Sequence, residues 1–358
     1  MNTFHVIGLM SGTSLDGVDL AYCTFTAEAG NWIYKILNTT TVEYTQNWIF
    51  RLEDLPNTSA TDFVATDHAY GKYLGELVAA FVQEHNLKID LIASHGHTIF
   101  HQPDQHISWQ LGHGAYLAAA AGLPVVSDFR TLDIALGGQG APLVPIGDQL
   151  LFPDLDLCLN LGGIANISFQ YNKQRLAYDI SACNMLLNTL ANQLNQPYDK
   201  NGETARSGKL NQQLLNELNA PAYFSAAFPK SLGKEWVDAH SLKTLQTSEI
   251  SVADKLHTAC HHIAFQISEV VKTVGKTAQK PKMLVTGGGA FNTFLIELLQ
   301  KYLGETCQVV VPEPEVVSYK EALIFAFLGV LRWRNEVNCL SSVTGANRDN
   351  IGGAVWMV

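Results

Sequence analysis

The chain has 358 residues, 47% of them hydrophobic and 16% charged, and 33 acidic against 23 basic side chains give a net charge of −10. That length exceeds one ordinary core and points to two domains. The negative charge, with no basic run anywhere, argues against nucleic acid or an anionic membrane as partner.

Cys23, Cys158, Cys183, Cys260, Cys307 and Cys339 are widely spaced and form no CxxC pair. This is the pattern of reduced thiols in a cytosolic protein. The N-terminus, MNTFHVIGLMSG, has neither a basic start nor a long apolar stretch, so no signal peptide is read. The most apolar run, Tyr116 to Val126, is interrupted by Gly122 and Pro124 and is too short to span a bilayer. A cytoplasmic protein is the expectation.

In chain order, Phe4–Leu9 and Val18–Phe25 read as strands around a turn at Ser11–Gly17, since Gly and Asp are depleted inside strands. Trp32–Tyr44 reads as a further strand pair. Tyr70, Tyr73, Leu74, Leu77, Val78 and Phe81 line one face of a helix. Gly71 and Gly75 weaken that helix by ~1 kcal/mol each relative to Ala, which suggests close packing. Ile89–Ala93 reads as a buried strand ending in a loop at Ser94–His97, followed by a helix at His113–Ala121. Leu123–Ser127 is a strand delivering Asp128, Phe129 and Arg130, and Gly137–Pro145 is a rigid turn region. The domain junction falls just after it, giving domains 1–147 and 148–358, with the C-terminal segment able to pack back on the first.

The opening pattern then returns. Leu155–Leu161 and Ile164–Tyr171 are strands around Gly162-Gly163, a weak internal repeat of the first hairpin. Asp254–Gly275 is helical, Met283–Thr286 is a strand, Phe291–Tyr302 is helical, Val309–Val311 is the last clear strand and Lys320–Arg334 is a long apolar helix. Strands alternating with helices indicate α/β layers.

Three glycine turns bear on function. Ser11-Gly-Thr-Ser-Leu-Asp-Gly17 combines hydroxyls (Ser11, Thr13, Ser14), small residues (Gly12, Gly17) and one carboxylate, Asp16. Phosphates are held by backbone N–H nests and hydroxyls, and glycine removes the Cβ that would block approach. No Lys follows, so this is not a P-loop; an ordinary tight turn is the alternative. Asn160-Leu-Gly162-Gly163 is the second turn. Thr286-Gly287-Gly288-Gly289-Ala-Phe-Asn292 is the third, a strand bending into a helix whose N-terminus can face an anion. Together they favour a phosphate site.

Asp179, after the β-like Leu176-Ala-Tyr178 and near Asn184, suits a general base at a strand end; the alternative is a helix-capping Asp. His95, His97, His101 and His106 match no zinc spacing, and His257 and His261 lack the Glu of a metalloprotease helix. His97 could instead meet a sugar. No dedicated metal ligands are legible.

These residues resemble the anhydro-N-acetylmuramic acid kinase family, of the actin, heat-shock-chaperone and sugar-kinase fold group. The resemblance runs along the whole chain. It rests on Gly8-Leu-Met-Ser-Gly-Thr-Ser-Leu-Asp-Gly-Val-Asp19, Ser94-His-Gly-His-Thr98, Asp128-Phe-Arg130, Gly137–Pro145, Asn160-Leu-Gly-Gly-Ile-Ala-Asn166, Gly287–Ala290, Glu321-Ala322 and Val343-Thr-Gly-Ala346. It implies two duplicated ribonuclease-H-like (actin-type ATPase) domains around an interdomain cleft that binds ATP and sugar. The implied reaction opens the 1,6-anhydro ring with water and phosphorylates O6. On this resemblance Asp179 is the catalytic aspartate, and His97, Arg130, Asn184 and Glu321 belong to the sugar pocket. Arg130 would pair with the lactyl carboxylate, its alternative being a structural salt bridge. Mg²⁺ is expected with ATP, contacted by Asp16 or waters, and a homodimer is suggested. Many members follow the catalytic Asp with Thr-Gly-Pro-Gly-Asn, whereas this chain has Ile180-Ser-Ala-Cys183 before Asn184. The competing readings are a kinase of another amino sugar and a non-catalytic nucleotide- or sugar-binding switch; no separate peptide-binding domain is seen to support the latter.

Overall fold

The computed structural model describes residues 3–274 and 280–358. It divides into two compact units, Met1–Phe152 with Tyr319–Val358, and Pro153–Ser318. The strands are β1 Thr3–Ser11, β2 Val18–Glu28, β3 Asn31–Val42, β4 Leu91–Gln102, β5 Ile107–Leu111 and β6 Val125–Ser127, then β7 Leu157–Leu161, β8 Ile164–Tyr171, β9 Gln174–Ala182, β10 Lys282–Thr286 and β11 Gln308–Val310, and finally β12 Ala354–Trp356.

The first unit's sheet runs β12-β6-β4-β1-β2-β3, with β5 added on β4. β2 is antiparallel to β1 and β3, and β1, β4 and β6 are parallel. The second unit's sheet runs β11-β10-β7-β8-β9, with β8 antiparallel to β7 and β9 and with β7, β10 and β11 parallel. The five core strands of each unit therefore share one order and one polarity pattern, third-second-first-fourth-fifth. This is the duplicated ribonuclease-H-like arrangement, and the hairpin repeat seen in the sequence is its first half.

Each unit has its own core. In the first, Ile7, Leu9, Leu20 and Ile92 from the sheet meet Tyr70, Leu74, Val78 and Phe81 from the helix Ala60–His85. In the second, Leu159, Ile167 and Ile180 meet Leu256, Cys260, Ile263 and Ile267 from the helix Val252–Val274. The expected end of that last helix, Gly275, lies outside the described residues. Gly71 and Gly75 do allow close packing. A Cβ at Gly75 would run into Ala120 and the Leu117 carbonyl, and one at Gly71 into the His113 carbonyl. The helix Ala60–His85 thus lies directly on the helix Gly114–Ala121.

The long helix Pro314–Trp333 bends at Tyr319 (φ −111°, ψ 16°), and its later residues cover β1. Gly8 is required there, because a Cβ would collide with the Ala322 carbonyl.

Four local expectations are corrected. Asn31–Val42 is a single strand rather than a pair: it contains no Gly or Pro, and Leu37 is an extra residue between the pairings Tyr22–Asn38 and Cys23–Ile36. That bulge breaks the alternation and mimics a turn. Ser94–His97 is not a loop but the middle of β4, bonded to β1 on one side and, at His97, to β5 on the other. Gly96, at φ +76°, absorbs the local irregularity, and a Cβ there would meet the Leu111 carbonyl. Val309–Val311 is not the last strand, since Ala354–Trp356 pairs antiparallel with β6. Three residues are too few for a periodicity signal. Asp179 lies inside β9 rather than at its end.

Candidate active site

In the first unit, β1 and β2 deliver the turn Gly12–Gly17. Thr13, Ser14 and Asp16 are exposed, and Leu15 holds a left-handed φ of +58°. The Ser14 hydroxyl donates to Asp16 Oδ1 at 2.8 Å, and Leu15 N–H reaches the Gly12 carbonyl only at 3.4 Å. The tip is therefore held by few bonds, with Thr13 and Ser14 exposed beside Asp16. Ser11 differs: it is 3% exposed, and its hydroxyl bonds inward to Tyr44 and to His97 Nδ1 at 2.8 Å. Burial lowers His97 to a pKa of about 4, so the ring is neutral.

Arg130 follows β6. Its guanidinium donates to the Gly140 carbonyl at 2.6 Å and to His95 Nε2 at 3.2 and 2.8 Å. His95 Nδ1 lies 2.9 Å from the Gly96 carbonyl and must donate to it, which leaves Nε2 as the acceptor Arg130 needs. Burial first, then the Arg130 charge, holds His95 well below its ordinary pKa. Both partners of Arg130 are neutral, and among the described residues no carboxylate forms an ion pair with it. Burial lowers the guanidinium to about 10, so it remains a cation at neutral pH. Glu321, on the long helix, is raised by burial, with Lys320 and Arg130 pulling it back.

A cavity of about 180 Å³ opens in the same unit, lined by Ser94, His95, Gly96, Trp109, Asp128 and Trp356 among others. Ser94 Oγ is buried with no hydrogen-bond partner among the described residues. The turn beside Arg130 is anchored by fully buried Asp133. Its Oδ2 accepts from Gly140 N–H, and its Oδ1 accepts from Thr344, Asn350 and Cys339. The Val343–Ala346 motif is therefore a strut behind Arg130.

In the second unit, Asp179 lies where Ile180 bulges out of the β8–β9 pairing, since Asn166 faces Asp179 and Ala165 faces Ser181. The register lines up Thr286, Asn160, Asn166 and Asp179 across four adjacent strands. Leu232 N–H donates to Asp179 Oδ2 at 2.9 Å, Asp179 N–H donates to the Lys230 carbonyl, and the Tyr223 hydroxyl donates to the Asp179 carbonyl at 2.6 Å. Oδ1 has no hydrogen bond among the described residues. Burial raises this carboxyl, and the Leu232 N–H only partly offsets it. The alternative of a helix-capping Asp does not hold, because the helix Asn184–Asn192 begins five residues later with no side-chain cap.

The second and third glycine turns come together. Asn184 Nδ2 donates to the Leu161 carbonyl at 2.9 Å, and the Gly162 and Gly163 carbonyls accept from Asn184, Cys183 and Met185. Gly287 has φ +81°, and a Cβ there would strike Asn160 and Leu161; one at Gly289 would meet Leu161 and Asn184. Only glycine lets these chains approach so closely. Asn292 is drawn away from this cluster: buried, it caps the helix Thr293–Leu303 by accepting from Leu295 N–H. The run Ile180–Cys183 stays strand to Ala182 and is fully buried, so this chain spans the distance from Asp179 to Asn184 without glycine.

His257 and His261 are satisfied helix residues, bonded to the Ala205 carbonyl and the Tyr302 hydroxyl. No sequence pattern marks Tyr44, Tyr70, His95, Gly140 or Leu232 as site residues. His95 lies inside a quoted motif, but Leu232 is 53 positions from Asp179 and carries no local signal.

Two units of ribonuclease-H-like topology, each with a glycine turn on its hairpin, form the arrangement found in actin-type phosphotransferases and ATPases. The comparisons narrow this. The family model for anhydro-N-acetylmuramic acid kinase matches residues 4–358. Proteins of that name from Sulfurimonas denitrificans and Hydrogenovibrio crunogenus are each 35% identical, aligned over 99% and 98% of this chain and 100% and 97% of their own. One from Vibrio cholerae is also 35% identical, over 96% of this chain and 95% of its own. The chain belongs to the anhydro-N-acetylmuramic acid kinase family. None of its described helices is long and apolar enough to cross a membrane.

Proposed function

We propose that this protein uses ATP and water to convert 1,6-anhydro-N-acetylmuramic acid into N-acetylmuramic acid 6-phosphate and ADP, a step of cell-wall recycling. The observation that carries the reading is Asp179: a strand-held carboxylate with one oxygen fixed by Leu232 and the other open. A base fixed through one oxygen and open at the other suits proton removal from a water molecule. That water attacks C1, the C1–O6 bond breaks, and O6 takes the γ-phosphoryl group. One carboxylate thus serves ring opening and transfer together, and it need not reach O6.

The other roles are assigned from the family resemblance, and the contacts support some of them. Arg130, a buried cation with only neutral partners, suits the lactyl carboxylate of the sugar. Asn184, His97 and Glu321 are assigned to the sugar with it, and the cavity beside His95 would take part of the ring or its substituents. Phosphate contacts are assigned to Gly12, Thr13, Ser14, Asp16 and Gly17 in the first unit, with Ser11 contributing backbone only. In the second unit they are assigned to Asn160, Gly162, Gly163, Gly287, Gly288 and Gly289, with Asn292 supporting the last turn from behind. Mg²⁺ would be brought by the nucleotide: among the described residues no three His, Cys, Asp or Glu could cage a metal, whereas exposed Asp16 can meet a hydrated ion. The cation would neutralise charge on the phosphates.

ADP release measured with 1,6-anhydro-N-acetylmuramic acid, free N-acetylmuramic acid and other amino sugars tests this. Release should require the anhydro sugar. Its kcat/KM should fall on acidification through a pH above the ordinary Asp value, because burial raises Asp179 and only the carboxylate is active. Equal turnover of the free sugar would make this a kinase of a free hydroxyl. Slow hydrolysis indifferent to sugar would make it a switch.

A further inference from the structure

Behind the phosphate turn lies a chain of four buried polar groups. Tyr70, Tyr44, Ser11 and His97 are 0%, 7%, 3% and 4% exposed. The Tyr70 and Tyr44 hydroxyls bond to each other, Tyr44 bonds to Ser11 Oγ, and Ser11 Oγ lies 2.8 Å from His97 Nδ1. Tyr44 and Tyr70 also pack edge-on against the His97 ring, so the ring has little freedom to flip.

The direction of these bonds follows from counting protons. There are three links and three hydroxyl protons. Tyr70 is at the end of the chain and sealed from water, and its proton has the Tyr44 oxygen as acceptor. Leaving a buried donor unmade is costly, so Tyr70 donates to Tyr44. Tyr44 must then donate to Ser11, and Ser11 to His97 Nδ1. A neutral imidazole that accepts at Nδ1 carries its single proton on Nε2. Burial keeps the ring neutral at physiological pH.

We infer that the Tyr70–Tyr44–Ser11 relay locks His97 as a hydrogen-bond donor through Nε2, so that it serves an acceptor oxygen of the sugar and cannot act as a base. The sugar contact rests on the function proposed above, whereas the tautomer does not. Tyr44 and Tyr70 are positioning residues, reaching the ligand only through Ser11 and His97. The relay also explains why Ser11 faces inward: its hydroxyl is consumed in fixing His97, and the phosphate turn begins one residue later. Sugar contact and phosphate turn are thereby built on one residue.

Histidine-selective ¹⁵N NMR on the wild-type protein without ligands tests the tautomer. Nδ1 should be unprotonated and Nε2 protonated at neutral pH. Ser11→Ala should release the lock and give a mixture of tautomers. An Nδ1-protonated His97 in the wild type would overturn the relay, since Ser11 would then accept from His97 and one hydroxyl proton of the chain would be left without an acceptor. An unchanged spectrum in Ser11→Ala would overturn it as well. Sugar kinetics test the donor role separately. His97→Gln, which can present an amide N–H, should keep KM for the sugar close to wild type. His97→Leu, which offers no N–H, should raise it about tenfold or more with a smaller change in kcat, the scale of one lost hydrogen bond. Unchanged sugar KM in His97→Leu together with the expected NMR spectrum would overturn the sugar contact and leave the relay in place.

Discussion

Asp179→Asn will lose turnover by about 10²–10⁴-fold, the usual scale for a general base, while folding at least as stably as the parent. The two halves of this result have separate causes. Asn is isosteric with Asp, and its carbonyl oxygen can still accept the Leu232 N–H that now meets Oδ2 at 2.9 Å. The Tyr223 and Lys230 contacts use the backbone of Asp179, so they survive. Burial penalises the charged carboxylate, and removing that charge relieves the penalty. Among the described residues no cation pairs with this carboxylate. A residue whose neutralisation leaves stability intact and abolishes turnover is serving chemistry, a frequent trade at active sites. Stopped-flow turnover alongside thermal unfolding checks both halves. Retained turnover would remove Asp179 from the base role, and a large drop in the unfolding temperature would make its role structural.

Lys320→Met will destabilise the first unit by about 3–5 kcal/mol, the usual result of stranding one partner of a buried pair. Lys320 Nζ lies 2.8 Å from Asp148 Oδ1, and both side chains are almost wholly buried. Removing the cation takes a close positive charge away from a carboxylate held in a poorly solvated place. The neighbouring Glu321 is affected too, because the Lys320 charge is the main influence pulling its burial-raised carboxyl back down. The variant should therefore combine lower stability with a higher Glu321 pKa. The double variant Lys320→Met, Asp148→Leu should recover much of the stability, since a well-packed apolar pair can replace a buried ion pair. Denaturant midpoints of the single and double variants decide this; additive losses would show that the two groups act independently.

Much of this is legible in the sequence, for identifiable reasons. Strand–turn–strand units announce themselves through apolar alternation broken by glycine, so both hairpins and the duplication could be read. Helix Ala60–His85 has a long periodic face, and its two glycines pointed to the close packing found against the helix Gly114–Ala121. The failures also have causes. Ser94–His97 looks like a loop because it is polar and contains glycine, yet strands on both sides hold it extended. Asn31–Val42 looked divided because a bulge imitates a turn, and Ala354–Trp356 is too short to show a pattern. At the site, residue types were readable but their partners were not. Ser11 reads as a phosphate hydroxyl, whereas Tyr44 and His97, 33 and 86 positions away, draw it inward. Asn292 reads as a phosphate ligand and is a helix cap. Arg130 reads as a ligand with a salt bridge as the alternative, and the neutral character of His95 and Gly140 supports the ligand. Long-range partners decide such questions, and no local pattern encodes them.

The central claim is that one water, activated by Asp179, opens the anhydro ring as O6 is phosphorylated. Turnover in ¹⁸O-labelled water, followed by mass analysis of the sugar phosphate, tests it most directly. The account predicts one ¹⁸O atom at C1 of the product and none in its phosphate. Label in the phosphate, or an unlabelled C1 freshly after turnover, would contradict it.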